Sequence, residues 1–471
     1  MKRLAFAGLF LGTALLLTAC PNESPPPPPP STSCTPTPTG LSVQSLGSQQ
    51  QTPQGLGDFS APHVPGELLV LPGGLTPQGL AARVEGVRPL SALEGGFLRV
   101  GVPKGQERAK AEALLRAGAR FVQPNYLYFP LYVPNDPLYP VHFADSARLE
   151  PYLDLIRMEA AWELVRAETY ECTPIVAVLD TAFNPLHEDV RGVFLTGYNA
   201  TDDRLGPTNL DPSPPPPGFS YLNNDPDHGQ GVAGLVAALA DNGKGVPGLG
   251  LGRVRVLPVK VFYWVGDSYA STSDVLAKAL RAAADRGAVV LNLSLGSPAP
   301  LDGVVQDALN YALSKGSLPV AAAGNNGTDG LMYPAAYPGV LAVGSARLDG
   351  ARSDFSNYSS TSKDLVLAPG GNRTPAQAFY VLALGQDYSY YESSRPYTTG
   401  AGTSFAAPMV SAVAALYVAH YHAVYGRTPT VGQVKQCLIQ TASNGGSYNP
   451  QTGYGLLRAD RVLSDTTYCF P

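Results

Sequence analysis

From residue 175 onward, short apolar runs alternate with stretches of helical spacing, and this alternation constrains the fold more than any other feature. Ile175-Val-Ala-Val-Leu179 has no polar face, and residues 289–293 and 318–322 come close to that condition. Such runs suit strands covered on both faces of a parallel sheet. Between and after them the spacing predicts helices over 231–240, 273–286 and 304–315, strands over 254–261 and 340–343, and a long, mostly apolar helix over 405–421. A βαβ alternation of this kind implies an α/β fold with a doubly wound, mostly parallel sheet. Active sites in such folds gather at the carboxyl ends of the strands.

The chain before residue 150 is organised differently. Residues 1–20 form a targeting segment, with Lys2 and Arg3 ahead of an apolar stretch too short to span a bilayer. It ends in Leu17-Thr18-Ala19-Cys20, which resembles a bacterial lipobox, so Cys20 is the expected lipidation site and the route to a membrane. An ordinary signal peptide is the alternative. Residues 21–63 are rich in Pro, Ser, Thr, Gly and Gln, with an unbroken run from Pro25 to Pro30, and read as a tether. Residues 64–129 read as a small α+β domain with strands near 67–71, 97–102 and 119–128 and helices over 76–84 and 104–117. Residues 130–149 form a proline-containing linker, and 150–471 the main domain.

A net charge of −5 supplies no basic field, so nucleic acid is not an expected partner. An export signal implies a compartment that permits disulfides. With Cys20 lipidated, Cys34, Cys172, Cys437 and Cys469 remain, and they allow three pairings.

Four polar residues fall at the predicted strand ends or helix starts. Asp180 follows the run 175–179 directly. His228 sits in Asp227-His-Gly-Gln-Gly-Val-Ala-Gly234, ahead of a helix of small residues. Asn325 lies in Ala321-Ala-Ala-Gly-Asn-Asn-Gly327. Ser404 lies in Gly400-Ala-Gly-Thr-Ser-Phe-Ala-Ala-Pro-Met409 and opens the long apolar helix. A hydroxyl there faces free N–H groups and the positive end of a helix dipole, which favour developing negative charge. Asp180, as an N-cap or loop ligand, His228, as a helix cap, and Asn325, as a turn residue, also have structural readings.

Taken together these motifs resemble the subtilisin-like serine peptidases. The matching pieces are Ala177-Val-Leu-Asp-Thr-Ala182, His228-Gly-Gln-Gly-Val-Ala-Gly234, Leu291-Asn-Leu-Ser-Leu-Gly296, Ala321-Ala-Ala-Gly-Asn325 and Gly402-Thr-Ser-Phe-Ala-Ala-Pro408. The order Asp, His, Ser along the chain is that of subtilisin. Two departures stand out. Gln230 and Gly231 replace a Thr and a second His, which implies altered packing near His228. Ala182 replaces a Gly, which implies a small backbone adjustment if that position needs positive φ.

The resemblance implies a secreted serine endopeptidase. His228 would take the Ser404 proton and return it to the leaving amine, and Asp180 would hold the imidazole tautomer. Asn325 and the Ser404 N–H would bind the oxyanion; losing one such donor costs about 2.7–4 kcal/mol, a magnitude measured on subtilisin's own asparagine. Ser294, Leu295 and Gly296 would pair with an extended peptide or protein substrate as an added strand. Met332 would lie near the first specificity pocket, or equally would fill core. The domain 64–129 resembles the family propeptide, an intramolecular inhibitor. No cofactor is implied for the chemistry. Structural calcium is implied near Asp189, Asp241 and Asn242, although residues 240–246 also read as a glycine-rich turn. The alternative to an enzyme is an inactive surface lipoprotein that binds through this scaffold, but all three triad positions are filled.

Overall fold

A computed structural model describes residues 55–57, 59, 63–93, 96–126, 136, 151–166, 170–206, 210–217, 226–266, 268–298, 302–361, 363–373, 381–385 and 396–471. The expected targeting segment, Cys20, Cys34, the proline run and most of the linker lie outside these residues.

The first folded unit contains β1 (Gly55–Leu56), β2 (His63–Leu71), α1 (Pro77–Arg83), β3 (Arg88–Ala92), β4 (Leu98–Gly101), α2 (Glu107–Arg116) and β5 (Phe121–Tyr126). Its sheet order is β1-β5-β2-β4-β3. Period-2 alternation in β2 sends Leu68 and Val70 into a core with Leu80, Val100, Leu114 and Val122. Thr76 caps α1 by accepting the Gly79 N–H, and Pro77 occupies the first turn where its missing donor costs nothing. Two strands were not anticipated. β3 carries Pro89 and no clear alternation, and it survives as an edge strand where a missing donor is tolerated. β1 falls within the expected tether yet pairs in parallel with β5, so ordered pairing begins at Gly55, ahead of residue 64.

The main unit begins with α3 (Pro151–Leu155) and α4 (Met158–Arg166). There follow β6 (Ile175–Asp180), β7 (Tyr198–Asn199), β8 (Arg204–Leu205), α5 (His228–Ala237), β9 (Arg255–Lys260), β10 (Tyr263–Val265), β11 (Ser268–Ala270), α6 (Ser273–Asp285), β12 (Ala288–Leu293), α7 (Gly303–Ser314) and β13 (Leu318–Ala322). It closes with β14 (Leu341–Ala346), β15 (Leu365–Pro369), β16 (Val381–Leu384), β17 (Tyr397–Gly400), α8 (Thr403–Tyr425), α9 (Val431–Thr441) and α10 (Ala459–Val462). The sheet order β15-β14-β13-β12-β6-β9-β7-β8 is parallel except at the β7–β8 edge.

Strands β13, β14 and β15 are buried along their whole length, because helices cover both faces. One face packs α4, α5, α8 and α9 against Val176, Val178, Val320 and Val343. The other packs α6 and α7 against Ala177, Leu179, Leu291 and Ala321. By length and composition α8 could cross a bilayer, but 94% of its apolar window is buried inside the protein, so it is the core helix. From β6 the chain goes to β9 on one side, then returns to β12 on the other. The strand order therefore reverses at β6, and a crevice opens at the carboxyl ends of β6 and β12. Near the carboxyl terminus, Cys437 and Cys469 form a disulfide that ties α9 to the end of the chain. Cys172 is half-buried and forms no disulfide among the described residues.

Candidate active site

Asp180 ends β6 and is fully buried. Its Oδ1 accepts the Thr181 N–H at 2.7 Å and lies 2.7 Å from Nδ1 of His228. A carboxylate at Nδ1 favours the tautomer with the proton on Nδ1, which leaves Nε2 as the basic nitrogen. His228 is the first residue of α5, three residues earlier than the spacing predicts, and its ring sits 5.7 Å from that of Phe405. Close approach of α5 to the Asp180 loop depends on Gly229: a Cβ there would lie 2.7 Å from the Ala182 carbonyl oxygen.

The two departures from the family pattern have local explanations. Gln230 is buried, and its Oε1 accepts the Asn184 N–H at 2.8 Å, so it braces the loop after Asp180. A Cβ at Gly231 would lie 3.3 Å from the Leu384 carbonyl oxygen, so a small residue lets β16 rest on α5. Ala182 is not among the residues with positive φ, so the expected backbone adjustment is not needed.

Ser404 is the second residue of α8. Its hydroxyl donates to the Ser294 carbonyl at 3.3 Å, and Ser294 Oγ donates back to the Ser404 carbonyl at 2.7 Å. Asn292 Nδ2 donates to Ser294 Oγ at 3.0 Å, and Ser411 donates to Asn292 Oδ1 at 2.9 Å. This chain clamps the start of α8 to the end of β12. The Ser294 side chain thus serves the clamp, while the backbone of half-buried Leu295 and exposed Gly296 forms no hydrogen bond among the described residues.

Asn325 follows β13. Its Oδ1 accepts the Thr403 N–H at 2.8 Å and the Thr403 hydroxyl at 3.0 Å. With the carbonyl end so occupied, the amide end is the donor left to the cleft. Two cavities flank Ser404 and share only Asn325 and Ser404. One, of about 200 Å³, is lined by Leu295, Gly296, Gly324 and Met332. The other, of about 300 Å³, is lined by His228, Arg373, Ala401 and Phe405. Met332 is half-buried and lies against Gly296 and Gly324, so it closes the first cavity. Beyond Leu295 and Gly296 a third cavity of about 490 Å³ is lined by Tyr269, Leu276, Val305 and Tyr337.

The residues singled out for calcium also come together. Asp189 is buried, with Asn242 Nδ2 at 2.7 Å from Oδ1 and the Val246 N–H at 3.1 Å from Oδ2. Asp136 Oδ2 accepts the Asp241 N–H at 2.9 Å, while its buried Oδ1 has no partner among the described residues. Burial pushes the Asp189 carboxyl up to about 7, with Asp136 adding repulsion, and burial raises Asp136 as well. The glycine-rich turn expected at 240–246 is present, wrapped around these carboxylates.

The sequence model of the subtilase family, peptidase S8, matches residues 173–456, the stretch that carries Asp180, His228, Asn325 and Ser404. The chain belongs to the subtilase family. It is 31% identical to the thermophilic serine proteinase of Bacillus sp. (strain AK1), over 73% of this chain and 72% of that one. It is 32% identical to thermitase of Thermoactinomyces vulgaris, over 60% of this chain and 85% of the relative. Among solved structures, a protease from Pseudoalteromonas arctica aligns with a TM-score of 0.56 at 28% identity, covering 71% of this chain and all of that one. Fervidolysin from Fervidobacterium pennivorans, described as a keratinolytic enzyme related to subtilisin, aligns at 0.53 and 25%, covering 87% of this chain and 62% of its own. This subtilase is accordingly a subtilisin-like serine endopeptidase, a hydrolase of peptide bonds.

Three residues at these sites escaped the sequence reading. Thr403 was visible in the serine motif but carried no assigned role. Asp136 falls in Asn135-Asp-Pro-Leu-Tyr139, which resembles the start of mature subtilase domains, but only the fold brings it to Asp241. Arg373 follows Gly370-Gly371-Asn372 after β15 and matches none of the family motifs.

Proposed function

We propose that this subtilase cleaves extended polypeptides with Ser404 as nucleophile, His228 as general base and acid, and Asp180 as the group that orients the imidazole. The observation that carries this reading is the 2.7 Å pair of Asp180 Oδ1 and His228 Nδ1, with His228 lining one cavity with Ser404 and Asn325. His228 Nε2 takes the hydroxyl proton as Ser404 attacks the carbonyl carbon, then delivers it to the departing amine. Asn325 Nδ2 and the Ser404 N–H hold the oxyanion, aided by the positive end of α8. The substrate chain adds as a strand to Leu295 and Gly296, and the residue before the cut enters the cavity closed by Met332. No charged side chain is among the described residues that line that cavity, which favours an apolar residue there.

Residues 64–129 act as a propeptide in this reading, and cleavage of the linker within 129–136 releases the mature enzyme. Export, with lipid on Cys20, places the precursor at a membrane and the processed domain on its outer side. Asp136 and Asp189 fit a calcium ion by donor chemistry: two buried carboxylates, one with an oxygen that has no partner among the described residues, while Asn242 would join them only by turning its amide, since it gives Nδ2 to Asp189 and Oδ1 to the Lys244 N–H. Bound calcium would supply the positive charge that these carboxylates lack; the reaction itself runs through the side chains above.

The test is labelling with a fluorophosphonate probe and processing of the precursor. Wild-type chain should react at Ser404 and mature. Ser404→Ala should neither react nor mature in a host without other proteases. Normal maturation of that variant would overturn self-processing, and labelling that persists in it would overturn the nucleophile.

A further inference from the structure

Arg373 stands on one side of the nucleophile only. The cavity against Leu295 and Gly296 receives the acyl side of a substrate, and none of its described lining residues is charged. The cavity containing His228 lies on the side where the amine departs, because His228 must protonate that amine. Arg373 lines this second cavity and is the one permanently charged residue among its described lining residues.

The guanidinium is held in place rather than swinging free. Its Nη2 donates to the Ala401 carbonyl at 2.6 Å, and its Cζ lies 5.1 Å from the centroid of the Phe355 ring. Ala401 is in turn part of the cavity wall. Among the described residues no carboxylate lies within ion-pairing distance of Arg373, and one bond to a carbonyl leaves most of its five donors unused. A cation fixed in the wall of a cleft, with donors to spare, presents the fork that matches a carboxylate.

We propose that Arg373 is a specificity-determining residue that recognises a carboxylate on the leaving-group side of the scissile bond. The inference rests on the roles of Ser404 and His228 proposed above. Two sources supply that chemistry: an Asp or Glu side chain just after the cut, or the terminal carboxylate of a substrate cut near its end.

The experiment compares fluorogenic peptides that share one apolar acyl-side sequence and differ after the cut. Ala-Ala, Asp-Ala and Ala-Asp extensions, each as free acid and as amide, separate the side-chain source from the terminal one. Wild-type enzyme should favour a carboxylate-bearing peptide about fivefold in kcat/KM, the upper end for a partly exposed ion pair. The preference should shrink with added salt. It should fall to about one in Arg373→Ala and turn toward Lys-bearing peptides in Arg373→Glu. The ratio of binding affinities for the same peptides, measured in Ser404→Ala chain whose propeptide has been removed in trans by wild-type enzyme, gives the answer without turnover, so a failure of the chemistry is distinguishable from a failure of recognition. A ratio near one in both measurements on chains with intact Arg373, or an acidic preference that survives Arg373→Glu, would overturn the proposal.

Discussion

The Asn325 amide carbonyl is bound by the Thr403 N–H at 2.8 Å, one residue before Ser404. This bond fixes which end of the amide faces the cleft, and it ties the end of β13 to the start of α8. Replacing Asn325 with Ala should lower kcat by about 10²–10³ with little change in KM, because the lost donor acts mainly in the transition state. Steady-state kinetics on an apolar-site peptide check this. A rise in KM alone would place Asn325 in ground-state binding instead.

Gln230→Ala should lower stability by about 1–3 kcal/mol, since it leaves the Asn184 N–H without its acceptor next to the loop that carries Asp180. Urea unfolding of the variant on a Ser404→Ala background measures it without autolysis. An unchanged midpoint would mean that water replaces the glutamine.

Lys260 sits beside Asp180 in the β6–β9 register and donates to Ser213 Oγ at 2.8 Å. Burial pushes its ammonium down to about 8. An unfolded lysine titrates near about 10.4. Between those values the unfolded chain holds a proton that the folded chain has released, so the stability due to this residue rises with pH across that window. Below it, the folded chain carries a buried charge at full cost. Lys260→Met should therefore gain most over wild type at pH 7 and progressively less toward pH 10. A gap constant from pH 7 to pH 10 would contradict the sign.

Chelation should lower Tm and added calcium restore it, with about 2.7 kcal/mol of stabilisation at a hundredfold excess over Kd. Asp189→Asn should abolish that response. Identical melting of the Ser404→Ala chain in chelator and in calcium would count against the carboxylate site.

The Cys437–Cys469 bridge spans 32 residues of sequence. Closing a loop of that length contributes about 3–4 kcal/mol in the chain-entropy account. Cys469→Ala should lose stability of this order and match wild type treated with reductant. A further loss on reducing the variant would implicate another bridge.

Much of this molecule was legible because buried parallel strands and small-residue helices leave few alternatives. The runs at 175–179 and 318–322 became β6 and β13 almost without shift. The helix at His228 began early because glycines conceal periodicity in a residue window. β15 was missed although all five of its residues are buried, since four apolar residues closed by Pro369 show no alternation to mark a strand. α9 was missed because its apolar positions are sparse, although Thr430 and Gln433 form a capping box at its start. Asp180, His228, Asn325 and Ser404 each fall at an element boundary, where a motif and a topology rule point to the same place. Asp136 and Arg373 are brought to their sites by long-range folding alone, and local pattern carries no trace of that.

The hairpin of β16 and β17 reaches in two directions at once. At one end, Tyr397 donates to Glu188 at 3.2 Å, and its ring stands edge-on to His187, two residues from Asp189. At the other, Gly400 lines the cavity beside Ser404. A single extended strand of four residues therefore acts as a splint between the acidic loop and the cavity wall beside Ser404. Loosening at the acidic loop should therefore displace Gly400 as well, so the shape of the cavity beside Ser404 is held partly from outside it.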